Sequence, residues 1–193
     1  LHMLSATQHA AVTSDAARPL QILAGPGSGK TRVLTSRVAW LVRDSATPIA
    51  PERCVVVTFT NRAANEMRAR LESMIGADRT RRLVLGTFHA VCVRFLRRWG
   101  ARCLGLDPRF TIADTDDARR LLRDVDRDAD AALSAISRAK AHGWTPDELR
   151  ASGTHAPGSP GHAEHLALCR TYAAYQQQLR ASHALDFDDL LLL

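Results

Sequence analysis

Apolar positions recur along the chain with two different spacings. Residues 20–25 (LQILAG), 54–60 (CVVVTFT) and 82–89 (RLVLGTFH) are short, nearly continuous apolar runs bounded by Gly, Thr or His, which predicts buried strands. After each run the spacing lengthens to that of a helix. It places Val33, Leu34, Val38, Leu41 and Val42 on one face, then Ala63, Ala64, Met67, Leu71 and Met74, then Val93, Leu96 and Trp99. Strand–helix units repeated in this way predict a parallel sheet with right-handed crossovers. Ahead of them, LSATQHAAVTS reads as a short helix, with Ser5 and Gln8 at capping-box spacing.

Beyond residue 100 the texture becomes mostly helical. FTIADTDDARRLLRDV gives a short strand and then a helix. Thr145, Pro146 and Glu148 stand at N-cap, N1 and N3 of another. Gly and Pro make 152–161 a loop. Residues 162–182 read as a helix with Leu166, Leu168, Tyr172, Tyr175 and Leu179 turned inward. In LDFDDLLLL (185–193) Asp186, Asp188 and Asp189 precede the apolar run, so it reads as a helix start with acids at the positive end of the dipole. No internal repeat is visible. The expected organisation is an α/β piece over 4–100, a mostly helical piece over 101–184, and a return to the α/β piece over 185–193.

Composition changes this picture little. A chain of 193 residues can bury one core plus an inserted subdomain. The net charge of +6 favours an anionic partner, and nearly all of the positive charge is Arg, with Lys only at Lys30 and Lys140. The planar guanidinium fork suits nucleic acid, although a compositional bias gives the same numbers. Cys54, Cys92, Cys103 and Cys169 are far apart, with no CxxC pair, and fit free thiols in a reducing compartment. There is no signal peptide and no apolar run of membrane-spanning length, so no membrane partner is expected. The opening Leu-His-Met reads as a vector-derived leader and is set outside the fold argument.

The chemistry starts at AGPGSGKT, residues 24–31, between a predicted strand and a predicted helix. In the loop Ala24, Gly25, Pro26, Gly27, Ser28 and Gly29, the backbone N–H groups of every residue but Pro26, which has none, lie near a positive helix end and can surround phosphate oxygens. Gly27 and Gly29 allow a close approach that a side chain would block. Lys30 can reach the β and γ phosphates of a nucleoside triphosphate, and the Thr31 hydroxyl can coordinate Mg²⁺. Lys30 and Thr31 are therefore the expected catalytic pair. A ligand-free Gly-rich turn is the competing reading. P-loop enzymes hold the metal from the other side with an Asp that ends an apolar strand. Asp186, Asp188 and Asp189 have the reverse order, so that Asp, and the Glu that orients water, are expected beyond Leu193.

Six segments in order, LSATQHAAV, AGPGSGKT, VTFTNRAANEMRARL, GTFHAVCVRFLRR, FTIADTDDARRLL and LDFDDLL, resemble the UvrD/PcrA/Rep family of superfamily 1 DNA helicases. The resemblance spans essentially the whole chain, although 129–182 carries no sharp motif. It implies a P-loop NTPase (RecA-like) parallel sheet, incomplete here, with an inserted helical subdomain that helps guide duplex DNA. LQILAGPGSGKT, with Pro26, is most similar to the fungal anti-recombinase branch. That branch implies a nuclear protein with recombination partners; otherwise a bacterial cytoplasm is implied.

The resemblance also implies roles. Gln8 matches the adenine-reading glutamine, with capping of Ser5 as the alternative. Arg32 lies near the nucleotide or is a solvated helix position. Arg37 lies there too or is merely solvated. Phe59, Thr60, Asn61 and Arg62 match one segment that contacts single-stranded DNA, and Thr87 and His89 match a second. Phe59 either stacks on a base or sits in the core. Arg94, Arg97, Arg98 and Arg102 form either a basic stripe or an ordinary solvated face. His162, Glu164 and His165 read as a solvated helix start rather than a zinc site. The implied activity is ATP-driven 3′ to 5′ movement on single-stranded DNA and at duplex–single-strand junctions, in repair and recombination. These residues by themselves are expected to be inactive. A DNA-binding regulatory module with a vestigial nucleotide site is the rival, and a P-loop small-molecule kinase a more distant one.

Overall fold

The structure is a computed structural model that describes residues 4–153 and 159–193; the opening Leu-His-Met and most of the stretch expected to be a loop, residues 154–158, lie outside them. The chain divides into two compact units, Leu1–Val91 and Cys92–Leu193.

The first unit carries α1 (Ala6–Thr13), α2 (Lys30–Ala39) continued by a π turn (Trp40–Asp44), and a short 3₁₀ turn (Pro51–Arg53). It continues with β1 (Val55–Thr58), α3 (Asn61–Ile75), α4 (Ala77–Arg82), β2 (Val84–Thr87) and the start of α5 (Phe88–Phe95). β1 and β2 pair in parallel from Val55↔Val84 to Thr58↔Thr87, with α3 and α4 as the crossover. Val56 and Leu85 on the strands meet Ala64, Met67, Leu71 and Ile75 of α3 and Val38, Ala39 and Val42 of the first helical segment in one buried cluster. The helical spacing that predicted α3 is thus its core face. Arg68 ties α3 to β2 by donating to the Leu85 carbonyl at 3.1 Å. Leu34, expected inward, is 40% exposed.

One expected strand is missing. Residues 20–25 form no strand, and Leu23 is 86% exposed. An apolar run records a preference for burial, whereas a strand also needs a neighbour to pair with. No described residue pairs with this segment.

The second unit contains the rest of α5, a π turn (Leu96–Gly100), α6 (Ala101–Leu104), β3 (Thr111–Ala113), α7 (Thr115–Arg123) and α8 (Ala129–Ala141). It closes with α9 (Pro146–Ala151), α10 (Pro160–Ala181), β4 (Ala184–Asp186) and α11 (Asp189–Leu192). Asp114 with Asp117, and Thr145 with Glu148, form capping boxes that start α7 and α9. Leu122, Ile136, Tyr172, Tyr175 and Leu179 centre the core, while Leu166 and Leu168 are only half-buried. β3 and β4 pair in parallel, Thr111↔Ala184 to Ala113↔Asp186. The segment expected to open directly as a helix is therefore a strand first, and its helix starts at Asp189. After α10, His183 takes a left-handed φ of 49°, which turns the chain back alongside β3. A partner so far away in sequence leaves no local signal.

Asp186, at the end of β4, enters a buried ionic cluster. Lys140 Nζ lies 2.6 Å from Asp186 Oδ2 and 2.7 Å from Asp189 Oδ1. It also donates to Gln176 Oε1 at 3.1 Å. Tyr175 donates its hydroxyl to Asp186 Oδ2 at 2.9 Å, and the Asp186 and Asp189 amides each donate to the other's carboxylate. Two carboxylates share one ammonium. Burial, reinforced by the Asp186 charge, holds the Asp189 carboxyl above the usual range in spite of Lys140. Burial likewise pushes the Tyr172 and Tyr175 phenols up, with the neighbouring aspartates adding to it.

Candidate nucleotide and DNA site

The loop that leads into α2 is a tight glycine-rich turn, shaped as a cradle. Ser28 N–H and Ser28 Oγ both donate to the Gly25 carbonyl, at 3.4 and 2.7 Å, and close a tight turn. Gly27 and Gly29 take left-handed φ values of 74° and 84°. At Gly29 an added Cβ would lie 3.2 Å from Gln8 Nε2, so both its backbone angle and its neighbour favour glycine. Gly29 is also the N-cap of α2, whose unpaired N–H groups and dipole make that end positive.

Lys30 folds back over the loop, its ammonium donating to the Ala24 and Gly25 carbonyls at 3.0 and 2.7 Å. Thr31 is exposed in the first turn of α2. Gln8, Lys30, Thr31 and Arg32 line a cleft of about 440 Å³ together with Arg70 of α3. Arg70 was not foreseen, although it lies in the segment VTFTNRAANEMRARL; it is ion-paired to Glu66 at 2.5 Å. A cleft with three cationic side chains and a helix N-terminus is suited to a polyphosphate.

Gln8 uses both ends of its amide. Oε1 accepts from Ser5 N at 3.0 Å, the capping contact, while Nε2 donates to the Ser28 carbonyl at 3.0 Å. Arg37 is neither in the cleft nor merely solvated: its Nη1 is bonded to backbone oxygens at the end of α1.

The two strands end in register at Thr58 and Thr87, and each is followed by phenylalanine. The Phe59 and Phe88 rings meet at 5.3 Å between centroids, tilted by 47°. Phe59 is 92% exposed, so it is not a core aromatic. Phe88 was missed; the signal was there in the repeated Thr-Phe at the strand ends. Thr60 caps α3 by accepting from Ala63 N at 3.1 Å, and Thr87 accepts from Ala90 N at 3.3 Å. Asn61 and Arg62 are exposed on the first turn of α3, and His89 on the first turn of α5. Arg94, Arg97, Arg98 and Arg102 are exposed, Arg97 over the Phe110 ring and Arg98 over Trp99. Among the described residues no group of His, Cys, Asp and Glu could hold a metal by itself, and His165 instead faces Cys169 Sγ at 3.7 Å. All four cysteines are free.

Residues 4–193 match the UvrD/REP helicase N-terminal domain. The chain belongs to that family. It is 41% identical over 184 residues to the ATP-dependent DNA helicase PcrA of Leuconostoc citreum, covering 91% of this chain and 23% of that protein. It is 40% identical over 182 residues to the ATP-dependent DNA helicase UvrD1 of Mycobacterium bovis, covering 90% and 23%. With the PcrA of Staphylococcus aureus it shares 36% over 200 residues, covering 99% and 26%. The chain thus spans about a quarter of the length of the curated relatives it matches. These relatives are bacterial and lend no support to the fungal branch. No helix among the described residues is long and apolar enough to cross a membrane.

Proposed function

We propose that this chain is the ATP- and DNA-binding N-terminal part of an ATP-dependent helicase that translocates 3′ to 5′ on single-stranded DNA in repair and recombination. The observation that carries this reading is the combination in one unit of the glycine cradle with Lys30 and an exposed Phe59–Phe88 pair at two parallel strand ends. Helix α3 joins the two features: its first turn carries Asn61 and Arg62, and Arg70 lines the phosphate cleft. At a rise of 1.5 Å per residue, these groups are about 13 Å apart along one rigid helix.

In this reading the Lys30 ammonium exchanges its carbonyl partners for the β and γ phosphates of ATP, a stronger charge-assisted contact. The left-handed glycines, with no Cβ in the way, and the exposed Thr31 hydroxyl fit a triphosphate with Mg²⁺. Bound Mg²⁺ supplies neutralisation of phosphate charge. Gln8, already at the loop, reads the adenine edge, and Arg32 and Arg70 face the phosphates. Phe59, with Phe88 beneath it, stacks on a base, while Thr60, Asn61, Arg62, Thr87 and His89 contact the backbone. The strands belong to a larger RecA-like sheet, and residues 101–184 are the inserted subdomain that helps guide duplex DNA.

The test uses the intact protein. It should hydrolyse ATP faster with single-stranded DNA and displace a strand from a duplex with a 3′ tail but not from one with a 5′ tail. DNA binding with no stimulated hydrolysis would instead favour the regulatory module with a vestigial site.

A further inference from the structure

We infer that Arg37 is a positioning residue for base selection: it holds the helix that carries Gln8 at a fixed place beside the phosphate cradle. The inference rests on the proposed adenine-reading role of Gln8 and adds the group that makes the role possible.

Helix α1 has little to hold it. It is 8 residues long, has one buried side chain, Val12, and has no basic residue of its own in its last turn. Helices this short are marginal in water without tertiary support. The carbonyls at its end have no partners within the helix. Arg37, from the second turn of α2, supplies them, beside the Ser14 hydroxyl that also donates to the Ala11 carbonyl at 3.1 Å. Its Nη1 lies 3.1 Å from the Ala11 and Val12 carbonyls, 3.0 Å from the Ser14 carbonyl and 2.9 Å from Ser14 Oγ. Two N–H protons are shared among four oxygens, and the positive charge sits at the negative end of the α1 dipole.

The other end of α1 is tied to the same structural piece. Gln8 Nε2 donates to the Ser28 carbonyl, one residue before the Gly29 cap of α2. Arg37 stands seven residues after Lys30, about 10 Å along the α2 axis. Helix α1 is therefore strapped at both ends to one rigid strut whose first turn is the phosphate cradle. A nucleotide whose phosphates are fixed in the cradle presents its base at a set distance. Only a Gln8 held at that distance can tell an adenine edge from a guanine edge. Without the Arg37 strap, α1 pivots about the Gln8 contact, and the amide loses its place while the cradle stays intact.

The experiment measures the affinities of the intact protein for ATP, GTP and inorganic tripolyphosphate, alone and with Arg37→Ala, Arg37→Lys, Gln8→Ala and the Arg37→Ala/Gln8→Ala pair. In Gln8→Ala the preference for ATP over GTP should fall by roughly tenfold, the scale of a lost base-edge hydrogen bond. Arg37→Ala should show a similar fall, with tripolyphosphate affinity unchanged within about twofold, and the pair should lose no more than either alone. Arg37→Lys keeps the charge but not the spread of donors and should fall in between; it decides the matter if Arg37→Ala does not fold. Retained preference in the Arg37 variants, when Gln8→Ala has lost it, overturns the inference and leaves the reading of Gln8 standing. Equal weakening of all three ligands overturns it in favour of a purely structural role. No preference to lose, in the unaltered protein or on Gln8→Ala, overturns the base-reading role and the inference with it.

Discussion

Both lysines of the chain bind oxygen atoms, in opposite surroundings. Lys30 is exposed at the first position of α2 and donates to two neutral carbonyls close in sequence. Lys140 has a fully buried side chain between two carboxylates. Solvent screens the first and can replace its partners; nothing can replace the partners of the second. The same charge is therefore available for a ligand in the first unit and consumed by the fold in the second. What separates them is the cost of leaving the partner bare, since an abandoned carbonyl in water costs little and an abandoned buried carboxylate costs several kcal/mol.

The largest effect should come from the buried site. Lys140→Ala strands Asp186 and Asp189 and should lower unfolding free energy by about 3–5 kcal/mol in urea titrations. Loss below about 1 kcal/mol would show that water reaches the cluster and would erase the contrast. Lys30→Ala should leave the urea midpoint unchanged and weaken ATP binding by roughly 10- to 100-fold, the worth of a charge-assisted hydrogen bond. Phe59→Ala extends the comparison to the strand ends: single-stranded DNA affinity should fall by about 1–3 kcal/mol with stability unaltered, because the ring is almost wholly exposed. Thr60→Ala removes the α3 cap and should cost about 1 kcal/mol of stability.

The smallest effect is a pH dependence. The Asp189 carboxyl is raised in the folded state, so the native protein takes up that proton before the unfolded chain does. Its contribution is fully present below the ordinary carboxylate pKa and is lost as pH rises through the raised folded value. Mild acidification across that window should stabilise the protein, and Asp189→Asn should remove that increment. A flat profile in both forms would contradict the assigned direction.

Much of this arrangement is legible in the sequence because it is local. The 3.6-residue spacing of Ala64, Met67 and Leu71 gives the buried face of α3, and Thr145 with Glu148 marks the start of α9. The cradle glycines are likewise fixed by their own backbone geometry. What was not legible depends on distant partners. Lys140 meets Gln176 and Asp186 across 36 and 46 residues, and no pattern near Lys140 announces a buried cation. Arg37 reaches Ala11 across 26 residues and looks like an ordinary polar helix position. Residues 20–25 failed in the other direction, since their apolar character is plain but no described strand pairs with them. Phe88 could have been found by aligning the two Thr-Phe strand ends with each other.

The central claim is that the first unit holds nucleotide and DNA through separate exposed groups. The most direct test measures ATP affinity and single-stranded DNA affinity of the intact protein side by side in Lys30→Ala and Phe59→Ala. The account predicts a crossed result, with Lys30→Ala weakening ATP alone and Phe59→Ala weakening DNA alone. A loss of both ligands in either variant, or of neither in both, would contradict it.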